Sequence, residues 1–152
     1  MTVTPVPKPG VQERILLHLR DYVDHAEKVE VPFALSQMGI ANAVSIARSN
    51  VPRAISGLRD QGYLVEKQAH VTGVSRKRKA YFLTDEGAKL ADDIWSKVGK
   101  QNVRVIGKDG RASNMELAEA LENTDLPLRH VDVIRYLDDS GTIDLSVLSA
   151  DL

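Results

Sequence analysis

Cysteine is absent from the 152 residues, which excludes disulfides, thiolate catalysis and any zinc site built on cysteine. No apolar run approaches the roughly 20 residues needed to span a bilayer. The opening MTVTPVPKPG has neither a basic stretch nor an apolar one, so it does not read as a signal peptide. Residues 1–9 are expected to be a flexible, Pro-rich leader, and the chain a cytoplasmic protein with no membrane partner. Catalytic fingerprints are missing too: there is no P-loop, no GxSxG and no dinucleotide-binding glycine pattern. His18, His25, His70 and His130 fall into neither HxxxH nor HExxH. No catalytic residue, metal ligand, cofactor or enzymatic activity is therefore expected.

What is present is the composition of a folded, soluble protein, at 43% hydrophobic and 27% charged. A formal net charge of −1 hides an asymmetry. Residues 1–100 carry 15 Lys/Arg against 11 Asp/Glu, whereas residues 101–152 carry 5 against 10. Between 45 and 83 the balance is 8 basic to 2 acidic. That local excess bears on partners, because an exposed charge acts within a Debye length of about 8–10 Å.

Hydrophobic spacing orders the first hundred residues. VQERILLHLRDYVDH (11–25) places Val11, Ile15, Leu19 and Tyr22/Val23 at helical intervals. KVEVPF (28–33) reads as a short strand or an extended connector. ALSQMGIANAV (34–44) predicts a second helix with Leu35, Met38, Ala41 and Val44 inward, and Ser45–Ile46 a tight turn.

The next stretch, ARSNVPRAISGL (47–58), holds a proline inside an amphipathic pattern. On a wheel of 100° per residue, Val51, Ala54, Ile55 and Leu58 share one arc of about 100°. Arg48, Ser49, Asn50, Pro52, Arg53, Ser56 and Arg59 occupy the rest. A helix capped by Ser49 would put Pro52 at its third position, where the missing N–H has no intrahelical partner to lose. A start near Ser49, or an irregular first turn, is the expectation.

Gly62 then suits a left-handed helix end. Residues 63–71 and AYFLT (80–84) read as two strands joined by the basic turn TGVSRKRK, a β-hairpin. Thr84 is expected to cap a last helix, DEGAKLADDIWSKVG, with Ala88, Ala91, Ile94, Trp95 and Val98 apolar. Tyr63 and Tyr81 are expected on the core side of the hairpin, and Trp95 in the core or a dimer interface. Three helices with a short turn between the second and third, then a hairpin and a helix, is the order of a winged helix-turn-helix.

The run GIANAVSIARSNVPRAISGLRDQGYLVEK, followed by RKRKAYFLTDEG, resembles the winged-helix domains of archaeal and bacterial transcription regulators, broadly of the MarR type. The resemblance covers residues 10–98 or so. Ala47 departs from it, since these regulators often place a Ser or Thr cap there, a role Ser49 could take. It implies a third helix in the major groove of double-stranded DNA and a hairpin wing on the backbone or in the minor groove. Carried over, the groove-facing residues are Arg48, Ser49, Asn50 and Arg53, with Ser56 behind them. The wing residues are Arg76, Lys77, Arg78 and Lys79.

The chemistry suits those roles. Arg can pair bidentately with guanine and Asn with adenine, a good pair discriminating by about 1–3 kcal/mol. Ser49 and the free N–H groups of a helix start could instead hold a phosphate. A solvated helix face has a similar composition, and a basic strand can simply protect a sheet edge. The helices before the stretch and the hairpin after it favour the groove. Four consecutive cations on a strand alternate sides, so only near the tip could several meet phosphates together.

From Gln101 the chain turns acidic. QNVRVIG predicts a strand, KDGRAS a turn, NMELAEALENT (114–124) a helix, LPLRHVDVIRYLDDSG (126–141) another helix, and TIDLSVLSADL a final strand. DDSGTIDL fails as a calcium loop, because registering Gly141 at position six puts Tyr136 and Val147 where ligands are needed. About 50 residues make a marginal core. This segment is expected to pack, to dimerise, to contact a protein partner, or to begin a further domain of a truncated chain. A second, degenerate winged helix also fits its element order.

The expected fold is thus mainly α with small β: a winged helix-turn-helix domain in residues 10–100 and a small acidic α+β segment in 101–152. The leading functional expectation is sequence-specific regulation of transcription by a homodimer. The alternatives are a winged-helix adaptor for protein interactions and the N-terminal module of a larger protein.

Overall fold

The computed structural model describes residues 10–25, 28, 30–122 and 141–144. The expected leader, the helix over 126–141 except Gly141, His130 and the strand beyond Asp144 lie outside the described residues. Contacts divide the chain into two units, Gly10–Ile94 and the part from Trp95 onward. The boundary falls within a single helix.

The first unit opens with α1 (Val11–Arg20), which buries Ile15, Leu16, Leu17 and Leu19. The helix ends five residues earlier than its apolar spacing predicts. After Arg20 the chain tightens into a 3-10 turn, Val23–His25, and Val23 turns outward at 46% exposure. The rings of His18, Tyr22 and His25 meet edge to face along this end. His18 is fully buried with Nε2 2.7 Å from the carbonyl of Ala34, a satisfied core histidine.

β1 (Glu30–Val31) is followed by a 3-10 turn over Phe33–Leu35 and then α2 (Gln37–Val44). Ser36 caps α2, its Oγ accepting from the amide of Gly39 at 3.1 Å. The expectation of one helix from Ala34 fails here, and with it the inward placement of Met38. Leu35 is buried by the 3-10 turn, whereas α2 itself buries Gly39, Ile40, Ala41 and Val44. Met38 stands about 200° from Ile40 on that wheel and is 40% exposed. Gly39 is obligatory in this packing, since a Cβ there would come within 2.0 Å of the carbonyl of Phe33.

α3 (Val51–Asp60) is followed by β2 (Leu64–Val71), β3 (Arg78–Leu83) and α4 (Asp85–Gly99). The sheet order is β1-β2-β3, with β2 and β3 antiparallel and β1 parallel to β2 through Glu30–His70 and Val31–Val71. Leu64, Val71, Ala80, Tyr81 and Phe82 bury against the helices. Thr84 caps α4, its Oγ1 accepting from Gly87 N at 3.0 Å and donating to Gly62 O at 2.6 Å. Ala91, Ile94 and Val98 are buried, while Trp95 is half-buried.

The second unit holds β4 (Asn102–Ile106), β5 (Ala112–Glu116), a short α5 (Leu117–Glu122) and β6 (Thr142–Asp144). Its sheet order is β5-β4-β6, antiparallel and then parallel. Val103, Val105, Leu117, Ala120 and Ile143 are buried there. The helix expected from Asn114 begins only at Leu117, because Ala112–Glu116 pair with β4 instead. Tertiary pairing overrides a weak local preference.

Candidate nucleic-acid interface

The face of α3 follows its wheel. Val51, Ala54, Ile55 and Leu58 are buried, Pro52, Arg53, Arg59 and Asp60 are exposed, and Ser56 is half-buried. The helix begins with an irregular first turn, the second of the two expectations, and without a cap from Ser49. Arg48–Asn50 form a 3-10 turn closed by Asn50 N to Ala47 O at 2.9 Å, and α3 proper starts at Val51. Asn50 holds the N-cap position without a side-chain bond, so Pro52 is the second helical residue. Its missing N–H costs no intrahelical bond there. Arg48, Ser49 and Asn50 therefore stand exposed on the turn, ahead of the helix.

Between α2 and α3 the chain reverses through Ser45, at φ 60° and ψ 49°. Its amide and that of Ile46 both bond the carbonyl of Ala41. Arg14 of α1 adds Nη1 to the carbonyl of Val44 at 2.8 Å, satisfying the last turn of α2. At its far end α3 closes with Tyr63 N on Leu58 O at 3.0 Å and Gly62 N on Arg59 O at 2.9 Å, Gly62 lying at φ 82°. This is the Schellman pattern, and only a residue at ease with positive φ permits it.

The chain leaves that cap as a hairpin in which Leu64 faces Leu83 and Ala69 faces Arg78. The strand β3 begins at Arg78, two residues before the expected Ala80, because the backbones of Arg78 and Lys79 pair with Ala69 and Gln68. Arg76 and Lys77 stay in the turn, both exposed. A tri-helical core, a short α2–α3 turn and a hairpin returning beside it are now in place. This is a winged helix-turn-helix.

Within it, the wing and Arg48 of the 3-10 turn ahead of α3 enclose a groove of about 540 Å³ against the first turn of α2. Arg48, Lys77, Arg78 and Lys79 all line it, so four of the nine expected contact residues converge on one concavity. Ser49, Asn50, Arg53, Ser56 and Arg76 do not line it. Phe33 and Met38, 41% and 40% exposed, supply an apolar wall, and Gln37 and Gln68 supply amides. Those four were not singled out in the sequence. Met38 was obscured by the assumed helix phase, while Gln37 and Gln68 carry no charge to mark them.

A polar network ties the same elements together. Tyr81, 1% exposed, donates its hydroxyl to Oε1 of Glu66 at 2.9 Å and accepts from Nε2 of Gln37 at 3.0 Å. Burial pushes the Tyr81 phenol above its ordinary pKa, and the Glu66 carboxylate adds to the rise. The hydrogen bond from Gln37 and the charge of Arg59 oppose it. Arg59 pairs with Glu66 at 3.6 Å. Tyr81 is thus in the core as expected, whereas Tyr63 is half-buried. His70 is exposed on β2. Among the described residues no group of three or more His, Asp or Glu could hold a metal ion, and no helix is long and apolar enough to cross a membrane.

No family model and no curated protein matches the chain. Solved structures similar to it include ZitR of Lactococcus lactis, a zinc-responsive MarR family member. It is 22% identical over 61% of this chain and 55% of its own, with a TM-score of 0.44. Another is MepR, a transcription regulator of the Staphylococcus aureus multidrug efflux pump MepA. It is 22% identical over 58% of this chain and 56% of its own, with a TM-score of 0.43. The match spans little more than half the length of these regulators. The helix order, the α2–α3 turn and the hairpin register define the winged helix here.

Proposed function

We propose that this protein binds double-stranded DNA sequence-specifically as a transcriptional regulator. The observation that carries the reading is the convergence of Arg48, Lys77, Arg78 and Lys79 on one groove, with Arg48 on the turn that leads into α3. In this reading α3 enters the major groove, which admits a helix, and Asn50 and Arg53 read base edges. Ser49 and the exposed 3-10 turn at Arg48–Asn50 hold a backbone phosphate, with Ser56 behind them. The wing follows the backbone into the minor groove, with Arg76 and Lys77 leading. Residues 10–100 act as the DNA-binding module, and the acidic residues 101–152 as a segment for packing, dimerisation or a protein partner. A homodimer would read two half-sites about one helical turn apart. The reading assigns no catalytic, metal or cofactor role to any residue.

Selection of bound sequences from random duplexes, followed by a salt titration, tests it. Arg53→Ala should relax the preference at one base position, a loss of about 1–3 kcal/mol in discrimination. Lys77→Ala should weaken all duplexes alike and flatten the slope of log K against log salt by about 0.9. If neither change alters binding at low salt, the reading falls. Feeble, sequence-blind and fully salt-sensitive binding by the unaltered protein would favour the adaptor instead.

A further inference from the structure

The basic stretch between residues 45 and 83 contains two acids, Asp60 and Glu66. Asp60 is exposed at the end of α3, but Glu66 stands in the middle of the hairpin, opposite Tyr81. A carboxylate there opposes the approach of any polyanion. It is also held in place: the buried Tyr81 hydroxyl donates to Oε1, and Gln37 fixes Tyr81 from the other side. The same Oε1 lies 3.6 Å from Nη1 of Arg59. On the wheel of α3, Arg59 falls between the buried Ile55 and the half-buried Ser56, on the edge of the polar face. Its side chain is 47% exposed, so the guanidinium could swing toward solvent were Glu66 not holding it.

We propose that Glu66 is a specificity determinant that holds Arg59 against the hairpin and so withholds one sequence-independent phosphate contact. The inference rests on the DNA-binding reading above. Recruiting Arg59 to a phosphate would break its ion pair and leave an uncompensated carboxylate facing the backbone. Base contacts from the rest of α3 then carry a larger share of binding, because phosphate contacts position the protein without reading sequence.

The test compares the full chain with Glu66→Gln, Arg59→Gln and the double variant, on a selected duplex and an unrelated one. Glutamine keeps the volume and can still accept from Tyr81. Glu66→Gln should bind the unrelated duplex more tightly, with a salt slope steeper by about 0.9. That amounts to about 3.5-fold more affinity lost between 50 and 200 mM salt. The ratio of selected to unrelated affinity should fall, and in the Arg59→Gln background Glu66→Gln should give a smaller gain, that of removing one negative charge. An unchanged slope overturns the inference. So does a loss of binding with unaltered thermal melting, which would make Glu66 a strut for the wing. A gain of the same size in the Arg59→Gln background overturns it as well, as a general field effect. Absence of duplex binding by both the unaltered protein and Glu66→Gln would remove the DNA-binding reading itself, a separate result.

Discussion

Tyr81 shows how one side chain joins core and surface. Its ring is buried while its hydroxyl serves Glu66 and Gln37, so removing the oxygen leaves two partly enclosed groups short of a partner. Tyr81→Phe should cost about 1 kcal/mol at neutral pH. The pH dependence has a definite sign. Because burial raises the folded pKa above the ordinary tyrosine value of about 10, the associated stability is intact below that value. It is lost as pH rises through the higher folded pKa. Urea unfolding of the unaltered protein should weaken from about pH 10 upward, and Tyr81→Phe should weaken less over the same range.

At the scale of elements, Pro52 is no flaw in α3. It is exposed at the second helical position, where its ring restricts the unfolded chain without removing a native bond. Pro52→Ala should therefore lower stability by about 0.4–1 kcal/mol, measured by denaturant midpoint, with helix content unchanged. The apolar arc of α3, its Gly62 terminus, the hairpin and the Thr84 cap were legible because each has a strong local signal: periodicity, a left-handed glycine, or a hydroxyl before acidic residues. The phase of α2 was not. A 3-10 turn at Phe33–Leu35 shifts the register without leaving a mark in composition, and Met38 moved outward with it. The strand at Ala112–Glu116 was hidden for the opposite reason. Its residues are largely exposed, so they show no apolar alternation, and only pairing with β4 makes them a strand. Of the candidate interface, the charges could be read in the sequence. Their gathering into one groove could not, since it depends on how the hairpin returns beside α2.

For the whole molecule, the proposed DNA binding makes the uneven distribution of charge along the chain testable. Residues 101–152 carry 10 acidic against 5 basic residues and take the net charge from +4 for residues 1–100 to −1 for the chain. A chain ending at Lys100 should bind duplex DNA more tightly than the full protein at low salt. The difference should shrink as added salt shortens the Debye length. Filter binding across ionic strengths would measure this, with circular dichroism establishing that the shorter chain is folded. A difference that persists at high salt would point to specific contacts in place of a field.

The parallel pairing of β1 with β2 joins Val31 to Val71, about forty residues apart. A contact so distant in sequence pays a large loop-closure entropy before it contributes anything, which places it late on the folding route. Val31 is fully buried, yet truncating it should leave the folding rate almost untouched and act on the opening step. In a chevron experiment Val31→Ala should raise the unfolding limb and leave the folding limb in place. This two-residue ladder is then a latch on lifetime: it governs how long the wing root, once assembled, stays closed.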